Sequence, residues 1–199
     1  MVGLVKAALS DATTAILNAD LALAEKVIAS DAAIDAIQHD LDARTINLMA
    51  RQQPVASDLR TLVSSLRMSA DLERMGDLAH HVAKQARMRY PNCAVPAELT
   101  DTILSMGRVA NAIIEKLAVS MEHRDTVRAL EIETDDDEMD TLHRKLIAAL
   151  LDDNWSHGIE AAIDMTLIGR YYERCADHAV SIARRVYFSV TGEYAEIND

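Results

Sequence analysis

The feature that most constrains this 199-residue chain is a segment that returns 100 residues later. Glu73-Arg74-Met75-Gly76-Asp77 answers to Glu173-Arg174-Cys175-Ala176-Asp177, and Val82 with Ala83 answers to Ile182 with Ala183. A second correspondence, at an offset of 105, pairs Asp20 with Asp125, Ala24 with Ala129, Asp31 with Asp136 and Asp35 with Asp140. One shorter interhelix loop in the second half accounts for the two offsets. Matched order, matched turns and paired motifs together predict two copies of one unit, the pattern expected of a duplicated helical array.

Each unit reads as three helices. Val2, Val5, Leu9, Ala12 and Ile16 recur at spacings of three and four, predicting a helix that ends at Asn18-Ala19-Asp20, where Asp20 caps the next. Val27, Ile34, Leu41 and Leu48 mark a second helix at intervals of seven, stopped before Pro54. Pro54 or Ser57 opens a third, with Leu59, Val63, Leu66 and Ala70 as its expected buried stripe and an end at Pro91. In the second unit Pro96 opens a helix running to His123-Arg124-Asp125. A fifth covers Thr126 to Asp152 and a sixth Ser156 to Phe188. The predicted fold is therefore all-α, two tandem three-helix bundles over residues 1–90 and 97–199 joined by a linker over 91–96. Helix one is shorter than helix four, and Met1 falls inside its heptad without a cap.

Composition agrees with helix packing: half the residues are apolar, only 4% are aromatic, and three prolines and six glycines interrupt the chain. The net charge of −12 repels phosphate backbones and anionic lipid, so neither nucleic acid nor a membrane surface is an expected partner. No apolar run approaches the roughly 20 residues of a membrane span, and no signal peptide is visible, so a cytoplasmic protein is expected. Cys93 and Cys175 have no CxxC spacing and read as inert thiols.

Chemistry concentrates in the acids. Asp31 with Asp35, Glu73 with Asp77, Asp136 with Asp140 and Glu173 with Asp177 are carboxylates four apart, each pair on one helix face. Such like-charge pairs cost an isolated helix roughly 0.2–0.5 kcal/mol each, so four of them at repeat-related positions call for a compensating cation. If helices two and three run antiparallel around residue 54, Asp31, Asp35, Glu73 and Asp77 reach one level; helices five and six gather Asp136, Asp140, Glu173 and Asp177 around residue 156 in the same way. Two sources of positive charge compete. One is an arginine lattice, with Arg74 and Arg174 neutralising the acids and with Arg67 to Asp71 and Arg170 to Arg174 forming a solvated charge lattice. The other is a hard metal ion, Mg²⁺, Mn²⁺, Ca²⁺ or iron; zinc is less expected because no thiolates are at hand. His39, His81 and His143 are nearby nitrogen donors. The Asp135–Glu138 acidic run alone reads as a solvated face, Trp155 as a cover for a helix end, and Tyr171-Tyr172 as core.

These features resemble the PhoU family of phosphate-transport regulators along nearly the whole chain. Asp71-Leu-Glu-Arg-Met-Gly-Asp-Leu-Ala79 looks like the family's DLERIGDLA, Tyr172-Glu-Arg-Cys-Ala-Asp-His-Ala179 like its second copy, and Leu23-Ala24-Glu25-Lys26-Val27-Ile28 before Asp31 fits its second helix. The resemblance implies a cytoplasmic regulator rather than a catalyst, one that represses the phosphate-starvation response by linking the ATPase subunit of a phosphate ABC transporter to a sensor histidine kinase. It implies metal ions, often clustered, at the acidic motifs, and it leaves homodimerisation open. Two other classes compete: a metal-free structural bundle, and a carboxylate-bridged di-iron enzyme suggested by Asp77 with His80 and Asp140 with His143 at i, i+3 spacing. Val180 at the position answering to His80 weakens the enzyme reading.

Overall fold

The computed structural model describes residues 1–195. Six helices follow the chain: α1 Val2–Asn18, α2 Leu21–Gln52, α3 Ala56–Arg89, α4 Thr100–His123, α5 Thr126–Leu150 and α6 Gly158–Thr191, with a single 3-10 turn at Ala97–Leu99 before α4. Among the described residues there is no strand, and no helix is long and apolar enough to cross a membrane.

Repeat-related local chemistry sets the turns. Ala19 and Arg124, 105 apart, both take left-handed backbone at the end of the first helix of their unit, with φ of 50° and 53°. The next residue in each case is an aspartate that caps the following helix: Asp20 accepts from the Leu23 amide at 2.9 Å, and Asp125 from those of Val127 and Arg128 at 3.1 Å. Pro96 is followed by the 3-10 turn, so α4 begins four residues later than the proline suggested.

Within each unit the second and third helices form a long antiparallel hairpin, and in the first unit α1, half as long as α3, leaves the arm nearer the α2–α3 turn uncovered. At 1.5 Å per residue the 34-residue α3 spans about 50 Å and the 17-residue α1 about 25 Å. This difference in length corrects the expected buried stripe of α3. Leu59, Val63 and Ala70 are exposed and Leu66 is only partly buried, as they lie on the uncovered arm. The buried face runs instead through Ser64, Ser69, Leu72, Met75, Ala79, Val82 and Ala86. Leu48 of α2 is exposed for the same reason, while Val27 and Ile34 lie in the core.

The two hairpins meet along an antiparallel seam between α3 and α6. Asp71 accepts from His178 Nδ1 at 2.9 Å, Ser181 Oγ at 3.0 Å and Arg185 Nε at 3.3 Å. The repeat-related contact pairs His81 with Tyr171, their rings stacked 5.3 Å apart. Toward one end Arg89 and Gln85 hold the buried Asp164, and Arg89 also reaches Glu160. Toward the other, Arg60 Nε donates to the Ser189 carbonyl. α1 and α4 close the same seam, where the buried Tyr172 hydroxyl meets Thr13 Oγ1 at 2.7 Å. One continuous apolar core joins both halves.

Candidate metal centres

The first cluster forms where α2 and α3 approach closely at Gly76. Gly76 permits that approach: a Cβ there would lie 2.9 Å from Ile34 Cδ1 and 3.6 Å from Asp31 Oδ1. Asp31 and Asp35 from α2 face Glu73 and Asp77 from α3, all half-buried. The Glu73 carboxyl is held above its ordinary range, by burial first and then by repulsion from Asp77, Asp35 and Asp31, with Arg74 opposing. Four carboxylates thus share one electrostatic site, as the antiparallel level match predicts.

Compensation in this cluster is partial. Arg74 Nη1 lies 2.9 Å from Asp77 Oδ2, and its Nε lies 3.5 Å from Glu73 Oε2. His80 Nδ1 bonds Asp31 Oδ2, and its Nε2 is buried without a partner. The sequence reading proposed His81 as a nearby donor, but His81 turns to the seam and stacks on Tyr171; the imidazole at the cluster is its neighbour His80. The i, i+3 spacing to Asp77 was the available signal. His39 is exposed on α2 and makes no polar contact among the described residues.

The second cluster repeats the arrangement on α5 and α6. Asp136 is pushed up to about 7 by burial, then by Asp140, Asp177, Glu173 and Asp137. Glu173 is raised by burial and Asp177, with Arg170 and His143 pulling the other way. Arg170 bonds Glu173, whereas Arg174 forms no ion pair among the described residues. The lattice of Arg67 with Asp71 and Arg174 with the acids is therefore not formed: Asp71 is taken by the seam. Asp136 Oδ1 and Glu173 Oε2 are both buried without a hydrogen-bond partner. A cleft of about 350 Å³, lined in part by Asp136, Asp177, Ser181 and Arg184, opens beside them.

Orphaned carboxylate oxygens in a partly buried, like-charged set fit a hard cation. Asp31, Asp35, Glu73 and Asp77 would hold one site, with His80 bonded to Asp31, and Asp136, Asp140, Glu173 and Asp177 the other, with His143 beside Glu173. Among the described residues no three His, Cys, Asp or Glu side chains stand close enough together to hold a metal ion as they are placed. Cys175, inside the second motif, is buried and its thiol is pushed up to about 12 by burial, which suits a packing role over a ligating one.

Comparison with known proteins places the fold. The PhoU domain model matches residues 1–86 and 103–186. The chain is 46% identical over 194 residues to a phosphate-specific transport system accessory protein, PhoU homolog 2, of Mycobacterium bovis, covering 98% of this chain and 91% of that one. The crystal structure of PhoU from Pseudomonas aeruginosa superposes with a TM-score of 0.85 at 28% identity, over 97% of this chain and 93% of that one. The phosphate transport system regulatory protein PhoU from Streptococcus pneumoniae gives 0.86 at 29%, over 98% and 94%.

Proposed function

The chain belongs to the PhoU family, and from that premise we propose that it is a metal-binding regulator coupling a phosphate ABC transporter to a sensor histidine kinase. In this role it restrains phosphate uptake and the phosphate-starvation response. It works in the cytoplasm, at the inner face of the membrane, by docking on the transporter's ATPase subunit and on the kinase. The observation that carries the reading is the pair of repeat-related four-carboxylate clusters, with Asp136 Oδ1 and Glu173 Oε2 of the second buried without partners. Mg²⁺, Mn²⁺, Ca²⁺ or iron would satisfy them, and the bound ion would brace each hairpin rather than turn over a substrate.

Docking needs accessible apolar surface, and each hairpin arm supplies it at repeat-related positions. Leu59 and Val63 are exposed on α3, Ile159 and Ile163 on α6. The reading as a di-iron oxidase is weaker, since such enzymes draw glutamates and two Glu-x-x-His motifs from four helices of one bundle, whereas here each cluster has one imidazole.

Elemental analysis of the purified chain, combined with pull-down from a cytoplasmic membrane fraction, tests the proposal. The expected result is stoichiometric metal together with the transporter ATPase, the latter lost in Ile159→Asp with Ile163→Asp. Protein free of metal after chelator-free purification would sink the metal reading, and aerobic turnover of ferrous ion would restore the enzyme.

A further inference from the structure

Resting on the reading of the clusters as metal sites, we infer that His80 is a positioning residue that fixes Asp31 and makes the first cluster the tighter of the two. His80 sits on α3 and Asp31 on α2, so their bond spans the two helices that supply the ligands. A carboxylate accepts only, so Nδ1 carries the proton and donates. The two side chains are 18% and 14% exposed, which shields the bond from competing water. Nε2 is left bare and buried, so the ring has no other polar partner to turn toward.

The second unit lacks this device. Val180 stands where His80 stands, buried and apolar, and the corresponding carboxylate, Asp136, keeps Oδ1 buried without a partner. Its imidazole, His143, comes from α5 instead and acts on Glu173 rather than on Asp136. The first-unit position answering to His143 is Gln38, which donates to Asp42 at 3.2 Å and plays no part at the metal site. The two sites therefore share four carboxylates but differ in which one is held. An outer partner that orients a ligating carboxylate typically contributes about 10–100-fold in metal affinity.

Mn²⁺ titration calorimetry on the metal-stripped full chain tests this. In a Glu173→Ala, Asp177→Ala background only the first cluster reports. There His80→Val, which copies the second unit, should weaken Mn²⁺ binding at least about tenfold. His80→Asn, whose amide nitrogen can stand where Nδ1 stands, should bind within about threefold of the parent. In a Glu73→Ala, Asp77→Ala background His80→Val should leave the second cluster's affinity unchanged, which also shows that the variant folds. Parent-like binding by His80→Val, or His80→Asn as weak as His80→Val, overturns the positioning role while leaving the metal sites standing. Absence of Mn²⁺ binding at the first cluster of the parent overturns both readings.

Discussion

The two carboxylate clusters have the same plan and different balances of charge. In the first, Arg74 spans Glu73 and Asp77 while His80 takes Asp31, so two of the four acids have a cationic or donating neighbour from α3 itself and a third is bonded across the hairpin. In the second, Arg170 reaches Glu173, Arg174 pairs with nothing among the described residues, and Asp136 is left to hold a proton up to about 7. The repeat keeps the carboxylates and varies the groups that offset them. The position of a carboxylate on a helix is fixed by backbone geometry, whereas the charge that offsets it can come from any neighbouring helix.

The largest expected effect separates the clusters outright. Glu73→Ala with Asp77→Ala should empty the first site of metal and leave the second occupied, and Glu173→Ala with Asp177→Ala should do the reverse; metal analysis of each variant checks this. Equal loss from both sites in a folded variant would break the comparison. Next is chelation. A ligand at a hundredfold its dissociation constant stabilises by about 2.7 kcal/mol, worth about 5–10 °C in a chain of this size, so metal removal should lower the melting temperature by that order. The Asp31→Asn, Asp35→Asn, Glu73→Gln, Asp77→Asn variant should stay folded and lose the first site's share of that dependence.

The protonation of Asp136 sharpens the contrast. Its carboxyl binds a proton more tightly folded than unfolded, so between its ordinary value of 3.8 and about 7 the metal-free protein loses stability as pH rises, and above 7 this group adds no further slope. Asp136→Asn should therefore raise the metal-free melting temperature at pH 8 by about 2–4 °C, roughly 1 kcal/mol after allowance for solvent screening, and leave it unchanged near pH 4. Thermal scans across that range read the effect; a pH-independent difference would contradict it. Smallest is the arginine contrast. Arg74→Ala should cost the metal-free protein at most about 1 kcal/mol, as exposed pairs do, and Arg174→Ala nothing measurable in the same denaturant titration.

Helix order, the caps at Asp20 and Asp125 and the meeting of the four acids in each unit were all legible in the sequence, because spacing and backbone geometry alone determine them. Which face of α3 lies inside was not legible at its distal arm. Leu59 and Val63 repeat every four residues as buried positions do, yet burial requires a neighbour, and α1 is too short to provide one. Histidine roles were equally hidden: His80 and His81 are adjacent in sequence, and only the seam with α6 decides that His81 meets Tyr171 while His80 meets Asp31. The partner of Asp71 was misread for a related reason. Arg67 lies one turn away on its own helix, but His178, Ser181 and Arg185 come from a helix more than a hundred residues later.

The seam between α3 and α6 also bears on ancestry. Position 60 meets 189 where 160 meets 89, and 71 meets 181 where 171 meets 81, the reciprocal pattern of a two-fold dimer. A gene that doubled and fused would leave this trace. Before fusion every substitution had to suit both sides of the axis at once; afterwards each side could change alone. Two copies of the present first half in this register would set Arg60 against Arg89, like charge on like, whereas the joined halves put Arg89 against Glu160. The joined halves thus pair unlike surfaces where a dimer would pair identical ones, and each carboxylate cluster has its own compensating neighbours.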